Sequence, residues 1–236
     1  MPYTVYAHRG ASSYAPENTL RSFYMGLEMG ANGIETDVQR TKDGVLVLFH
    51  DDTLERVTGA HGSIADYTLQ ELRALRVVCP EFPERTDVIC TLEEFLEHFS
   101  WRPLTFAVEL KQPGTEAQTL TLLDRYGMKE RTWITSFSLP ALACTHALAP
   151  DWRLGWLAED FSDDDLVLAR QTGIGQLCPE ARTLHAERVR QWNAAGFSVR
   201  AWGIADETLM RRAVQCGTNG QTVNFPDRLL AWLRER

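Results

Sequence analysis

A chain of 236 residues, 44% hydrophobic and 24% charged, has the makeup of an ordinary globular protein and enough length for one large core. Its net charge of −8, with no basic block to offset the acidic excess, argues against nonspecific binding of nucleic acid or of an anionic membrane. An anionic substrate therefore needs local positive charge. The five cysteines, Cys79, Cys90, Cys144, Cys178 and Cys216, are odd in number and lack CxxC spacing, so they suggest neither a disulfide framework nor a cysteine zinc site.

Met1 to Ala7 shows no basic leader and no long apolar stretch, and a cytoplasmic location without stable membrane insertion follows by default. Short apolar runs then alternate with amphipathic segments nearly to the end of the chain. Eight runs read as strands: Tyr3 to His8, Ile34 to Val38, Leu104 to Lys111, Trp133 to Phe137, Arg153 to Leu157, Gly175 to Cys178, Ser198 to Gly203 and Gly220 to Asn224. Leu20, Phe23, Tyr24 and Leu27 share one helical face behind the possible cap Thr19, and Leu92, Phe95, Leu96 and Phe99 share another. Strand–helix alternation with eight strands favours an α/β fold closed as a TIM-type (β/α)8 barrel, with residues 1–236 as a single domain.

Two stretches interrupt the alternation. Thr41-Lys42-Asp43-Gly44-Val45 carries the Asp-Gly signal of a tight hairpin, with no room for a crossover helix before His50. With Asp43 and Gly44 as the two loop residues, Lys42 faces Val45 and the ladder sets Asp37 opposite His50. The second stretch, about residues 51–103, is too long for one helix and reads as an insertion overhanging the barrel mouth.

Ionisable residues stand out at the carboxyl ends of the early strands, which in a barrel face one mouth. His8 and Arg9 close the first strand, Glu35 and Asp37 alternate in the second, and Glu109 and Lys111 alternate in the third. Singly, His8-Arg9-Gly10 reads better as a strand end and a turn, and Glu35-Thr36-Asp37 as one solvated face of an edge strand. Together, three converging carboxylates are prohibitive without a cation, and an all-oxygen set suits Mg²⁺ or Ca²⁺. Arg9 and Lys111 suit a phosphate, while His8 and His50 suit proton transfer near neutral pH. One histidine would activate the attacking oxygen and the other protonate the departing alkoxide, with the assignment open.

The series His8-Arg9-Gly10, Pro16-Glu17-Asn18-Thr19, Glu35-Thr36-Asp37-Val38, Thr41-Lys42-Asp43-Gly44, His50-Asp51 and Glu109-Leu110-Lys111 resembles the glycerophosphodiester phosphodiesterase family. Leu54, Thr58, Gly59, Gly62, Thr68 to Leu72 and Thr91 to Glu94 extend the likeness over nearly the whole chain. It implies metal-dependent hydrolysis, on a distorted barrel, of small glycerophosphodiesters to glycerol 3-phosphate and an alcohol. Glu35, Asp37 and Glu109 then match metal ligands, His8 and His50 the acid–base pair, Arg9 and Lys111 the phosphate contacts, and Trp202 a wall on the glycerol side. Glu17 and Asn18 either orient Arg9 or cap the helix beginning at Thr19, the structural role having the better share. Trp202-Gly203-Ile204-Ala205 and Val223-Asn224-Phe225-Pro226 depart from the family pattern, which bears on substrate preference. The same residues would serve a lysophospholipase D-like enzyme or one that releases a cyclic phosphate. A catalytically silent binder of phosphodiesters would not need the two histidines.

Overall fold

The computed structural model describes residues 3–235, so the leader reading at residues 1 and 2 lies outside it. Eleven strands run in chain order: β1 Thr4–His8, β2 Gly33–Arg40, β3 Leu46–Leu48, β4 Val77–Cys79, β5 Phe82–Asp87, β6 Thr105–Leu110, β7 Thr132–Ser136, β8 Arg153–Ala158, β9 Ile174–Pro179, β10 Ser198–Ile204 and β11 Gly220–Val223. Eight of them follow each other in parallel around a ring, β1-β11-β10-β9-β8-β7-β6-β2, and the β1–β2 pairing closes it. The expected (β/α)8 barrel is therefore present, and closure leaves the ring without an unpaired edge.

Alternation along the strands sorts side chains into two environments. Val5, Ala7, Ile34, Val38, Phe106 and Val108 join the main apolar cluster between barrel and helices. Thr19 caps the helix Leu20–Glu28 through a capping box with Ser22. That helix buries Phe23 against Phe95 and Phe99 of the helix Leu92–Phe99, with ring centroids 4.8 and 5.8 Å away. The intervening strand positions, His8, Glu35, Asp37 and Glu109 among them, turn into the ring.

The hairpin differs from expectation by one residue. Its loop has three residues, Lys42, Asp43 and Gly44, closed by Thr41 N–H donating to Val45 O and Gly44 N–H donating to Thr41 O. Gly44 takes the left-handed conformation at φ +86°, and Thr41 Oγ1 accepts from Val45 N–H. β2 and β3 consequently pair Arg40 with Leu46 and Val38 with Leu48. Asp37 stands opposite Phe49, whose N–H it accepts, and not opposite His50.

Residues beyond the hairpin form a small second cluster, with Val47, Phe49, Leu54, Val57, Ile64, Leu72, Val77 and Ile89 buried together. This cluster includes the first residue of the two-stranded β4–β5 ribbon, while Leu92–Phe99 packs on the main core. Among the described residues no helix is long and apolar enough to cross a membrane.

Candidate active site

Glu35, Asp37 and Glu109 each offer an oxygen within 4.8 Å of the others, and all three are buried. Parallel pairing of β2 with β6 sets Asp37 level with Glu109, and pairing of β1 with β2 sets His8 level with Glu35. Burial, then the charges of Asp37 and Glu109, push the Glu35 carboxyl up to about 8. Burial and Asp37 likewise push Glu109 up to about 7. Burial acts on Asp37 too, but Arg9, His50, Lys111 and a hydrogen bond from Asn18 outweigh it and hold this carboxylate ionised. Its Oδ1 is buried with no hydrogen bond, and Lys111 Nζ at 3.7 Å is within ion-pair range only. An oxygen-only set with one unsatisfied carboxylate oxygen fits a hard divalent cation.

The basic groups flank this set. Lys111 Nζ donates to Glu109 Oε1 at 2.8 Å, and Arg9 Nε lies 3.3 Å from Asp37 Oδ2 without hydrogen-bond alignment. Arg9 has φ +55°, a conformation costing a non-glycine residue about 1–3 kcal/mol. The turn is held by Arg9 N–H donating to Glu35 O and by Arg9 O accepting from Asn18 N–H. The next residue, Gly10, is irreplaceable on space alone, since a Cβ there would sit 2.3 Å from the Ser22 carbonyl carbon.

Both imidazoles are anchored through Nδ1. His8 Nδ1 meets Asn224 Oδ1 at 2.5 Å, and its Nε2 is 3.8 Å from Glu35 Oε2. Burial and the neighbouring Arg9 charge push His8 down to about 3, so it rests neutral. His50 Nδ1 meets Asp51 Oδ1 at 2.6 Å, and burial lowers its affinity for a proton as well. Gln39 Nε2 donates to the carbonyls of Phe49 and Asp51 and so pins the loop that carries His50.

With Asp37 opposite Phe49 rather than His50, the partner of the His50 imidazole is Asp51. Of the two roles open to Glu17 and Asn18, the cap belongs to Thr19, and both residues turn to the site. Asn18 Nδ2 donates to Asp37 Oδ2 at 2.9 Å. Glu17 accepts from Arg9 Nη1 at 2.9 Å and from both terminal nitrogens of Arg56. Arg56 donates in turn to both oxygens of Asp51, which completes a chain from Arg9 to His50. Nothing in the sequence singled out Arg56, because its partner Glu17 is 39 positions away. Trp202 stands at the mouth with Nε1 donating to Ala158 O and its ring set edge-on to Phe137 at 5.0 Å.

A closed β/α barrel with acids, bases and imidazoles gathered at the carboxyl ends of its strands defines a barrel enzyme equipped for phosphodiester cleavage. Residues 8–228 match the glycerophosphoryl diester phosphodiesterase family, and the chain belongs to it. A glycerophosphodiester phosphodiesterase of Caldanaerobacter subterraneus is 31% identical, covering 100% of this chain and 99% of the relative. One of Bacillus subtilis is 30% identical over 94% of this chain and 83% of its own length. Among solved structures, an Oleispira antarctica phosphodiesterase in complex with the product sn-glycerol-3-phosphate superposes with a TM-score of 0.88 at 29% identity, covering 98% of this chain and 96% of that one.

The raised acids give the metal-free protein a definite pH response. Folded-state values near 8 and 7 lie above the 4.5 of a free glutamate, so the associated stability is present below about pH 4.5 and lost as pH rises through 7 to 8. The lowered histidines act oppositely, but only below their ordinary value of 6.5. Chelator-treated protein should therefore melt at progressively lower temperature as pH rises from 6.5 to 8. A melting temperature that is flat or rising across that window would show that the three carboxylates do not share a proton-holding cluster.

Proposed function

We propose that this chain hydrolyses glycerophosphodiesters to sn-glycerol 3-phosphate and an alcohol with one divalent cation, Mg²⁺ or Ca²⁺, held by Glu35, Asp37 and Glu109. The observation that carries the reading is the unsatisfied oxygen of buried Asp37 between two acids, flanked by Arg9 and Lys111. When bound, the cation supplies electrostatic stabilisation to charge gathering on the phosphoryl oxygens. Arg9 and Lys111 orient the diester and neutralise its nonbridging oxygens.

His8, neutral and bonded at Nδ1 to the uncharged Asn224, is the base that takes a proton from the attacking water at Nε2. His50 is the acid: burial lowers its affinity for a proton, but the Asp51 carboxylate on its Nδ1 partly offsets this, where His8 has only the uncharged Asn224, and Nε2 delivers the proton to the departing alkoxide as the bond from phosphorus to that oxygen breaks. Arg56 positions both sides of the reaction, holding Arg9 through Glu17 and His50 through Asp51. Trp202, its only N–H already engaged by Ala158, offers a ring face to the glycerol moiety. Residues 1–236 act as one catalytic domain with the segment at about 51–103 inserted. The five free cysteines suit a reducing, cytoplasmic compartment.

Glycerol 3-phosphate release from glycerophosphocholine, glycerophosphoethanolamine and glycerophosphoglycerol, followed by a coupled assay, tests the reading. Chelation should abolish release and a divalent cation restore it, whereas full turnover after exhaustive metal removal would refute metal dependence. The histidine roles are separated by leaving group. His50→Ala should lose about 10²–10⁴-fold on glycerophosphocholine. It should be largely rescued on a nitrophenyl diester, whose leaving group needs little protonation. Arg56→Met should show the same selectivity in milder form, about 10–100-fold. Equal losses on both diesters would remove His50 from the acid role.

A further inference from the structure

The strands begin at the opposite end of the barrel, and there a cleft of about 830 Å³ opens, lined among others by Tyr6, Arg153, Gln176, Ser198, Arg200 and Thr218. Gly33 and Gly220 hold no side chain where the Tyr6 ring lies, a Cβ at either coming within 2.8 and 3.3 Å of it. None of these residues takes part in the chemistry at the other mouth.

Two guanidiniums meet this cleft without an acid to receive them. Arg200 is only 1% exposed; its Nε donates to Gln176 Oε1 at 3.2 Å and its Nη1 to Thr222 Oγ1 at 2.5 Å, while Nη2 has no partner. Arg153 lies over the Trp133 ring at 4.1 Å and donates to the carbonyl of Glu130. Among the described residues no carboxylate lies within ion-pair distance of either, although the chain carries a net charge of −8. Both line the cleft beside Tyr6, and the Arg200 guanidinium lies over the Tyr6 ring at 5.3 Å. Glu35 also senses Arg200, but outside ion-pair range, and it belongs to the acidic set at the other mouth. A buried arginine lacking an acid is costly unless an anion completes it.

We infer that this cleft is a second ligand site, taking a small tetrahedral oxyanion of the phosphate type between Arg153 and Arg200, with the Tyr6 hydroxyl as a further donor. Guanidinium forks match the oxygens of such an anion, and partial enclosure keeps the attraction from being screened. The site sits at the amino ends of the strands, at the opposite mouth from the reaction proposed above.

Equilibrium dialysis with labelled inorganic phosphate separates the two mouths. Lys111→Met protein, with its reaction site weakened, should still bind phosphate. Adding Arg153→Met, which keeps an apolar stem over Trp133, should weaken that binding at least about tenfold, the loss expected of one charge-assisted hydrogen bond. Arg153→Met alone should leave turnover of glycerophosphocholine unchanged while losing the same component of binding. It serves as the deciding variant should Lys111→Met fail to fold. Absence of phosphate binding to folded Lys111→Met protein, or an isotherm unaltered by Arg153→Met, would overturn the inference.

Discussion

Three carboxylates enclosed in one ring of strands are the constraint around which the rest of the molecule is arranged. Glu35 and Glu109 favour their protonated forms in this enclosure, while Asp37 stays ionised because Arg9, Lys111 and Asn18 crowd it. Such a set is unstable as bare charge and attractive to a hard cation. The fold meets the constraint with covalent economy, since β1, β2 and β6 are neighbours in the ring and bring His8, Glu35, Asp37 and Glu109 together by register alone.

The groups farther out act on that arrangement through hydrogen bonds. A strained Arg9, tied through Glu17 to Arg56 and from there to Asp51 and His50, links the barrel to the segment that follows the hairpin. That segment rests on its own buried cluster, from Val47 to Ile89. Its packing therefore bears on how firmly His50 and, through Arg56 and Glu17, Arg9 are held. Asn224 does the corresponding service for His8 from the opposite seam of the ring, at the end of β11. The departure from family pattern noted at Asn224 thus falls on a histidine's anchor.

Much of this was legible in the sequence, for identifiable reasons. The strands carry continuous apolar runs, and alternation by two puts Glu35 with Asp37 and Glu109 with Lys111 on one side of each strand. Phe23, Phe95 and Phe99 revealed their buried faces by helical spacing. The hairpin register was not legible to the residue, because Asp-Gly serves a two-residue loop and a three-residue loop ending in left-handed Gly44 equally well. One added loop residue moved Asp37 from His50 to Phe49. The Glu17–Arg56–Asp51 chain was invisible because its members are joined by ion pairs across the mouth, which leave no periodicity. The unpaired arginines at the far end of the barrel likewise look like ordinary strand residues until the missing acids are counted.

The central claim, that the acidic set is a cation site whose glutamates hold protons when empty, is tested most directly by calorimetric titration of chelated protein with Mg²⁺ or Ca²⁺ at pH 7 in buffers of different ionisation enthalpy. Binding should release protons, because Glu35 and Glu109 must ionise to become ligands, and Glu109→Gln should weaken the affinity and reduce the number released. Cation binding with no dependence on buffer, or with affinity unchanged in Glu109→Gln, would contradict the account.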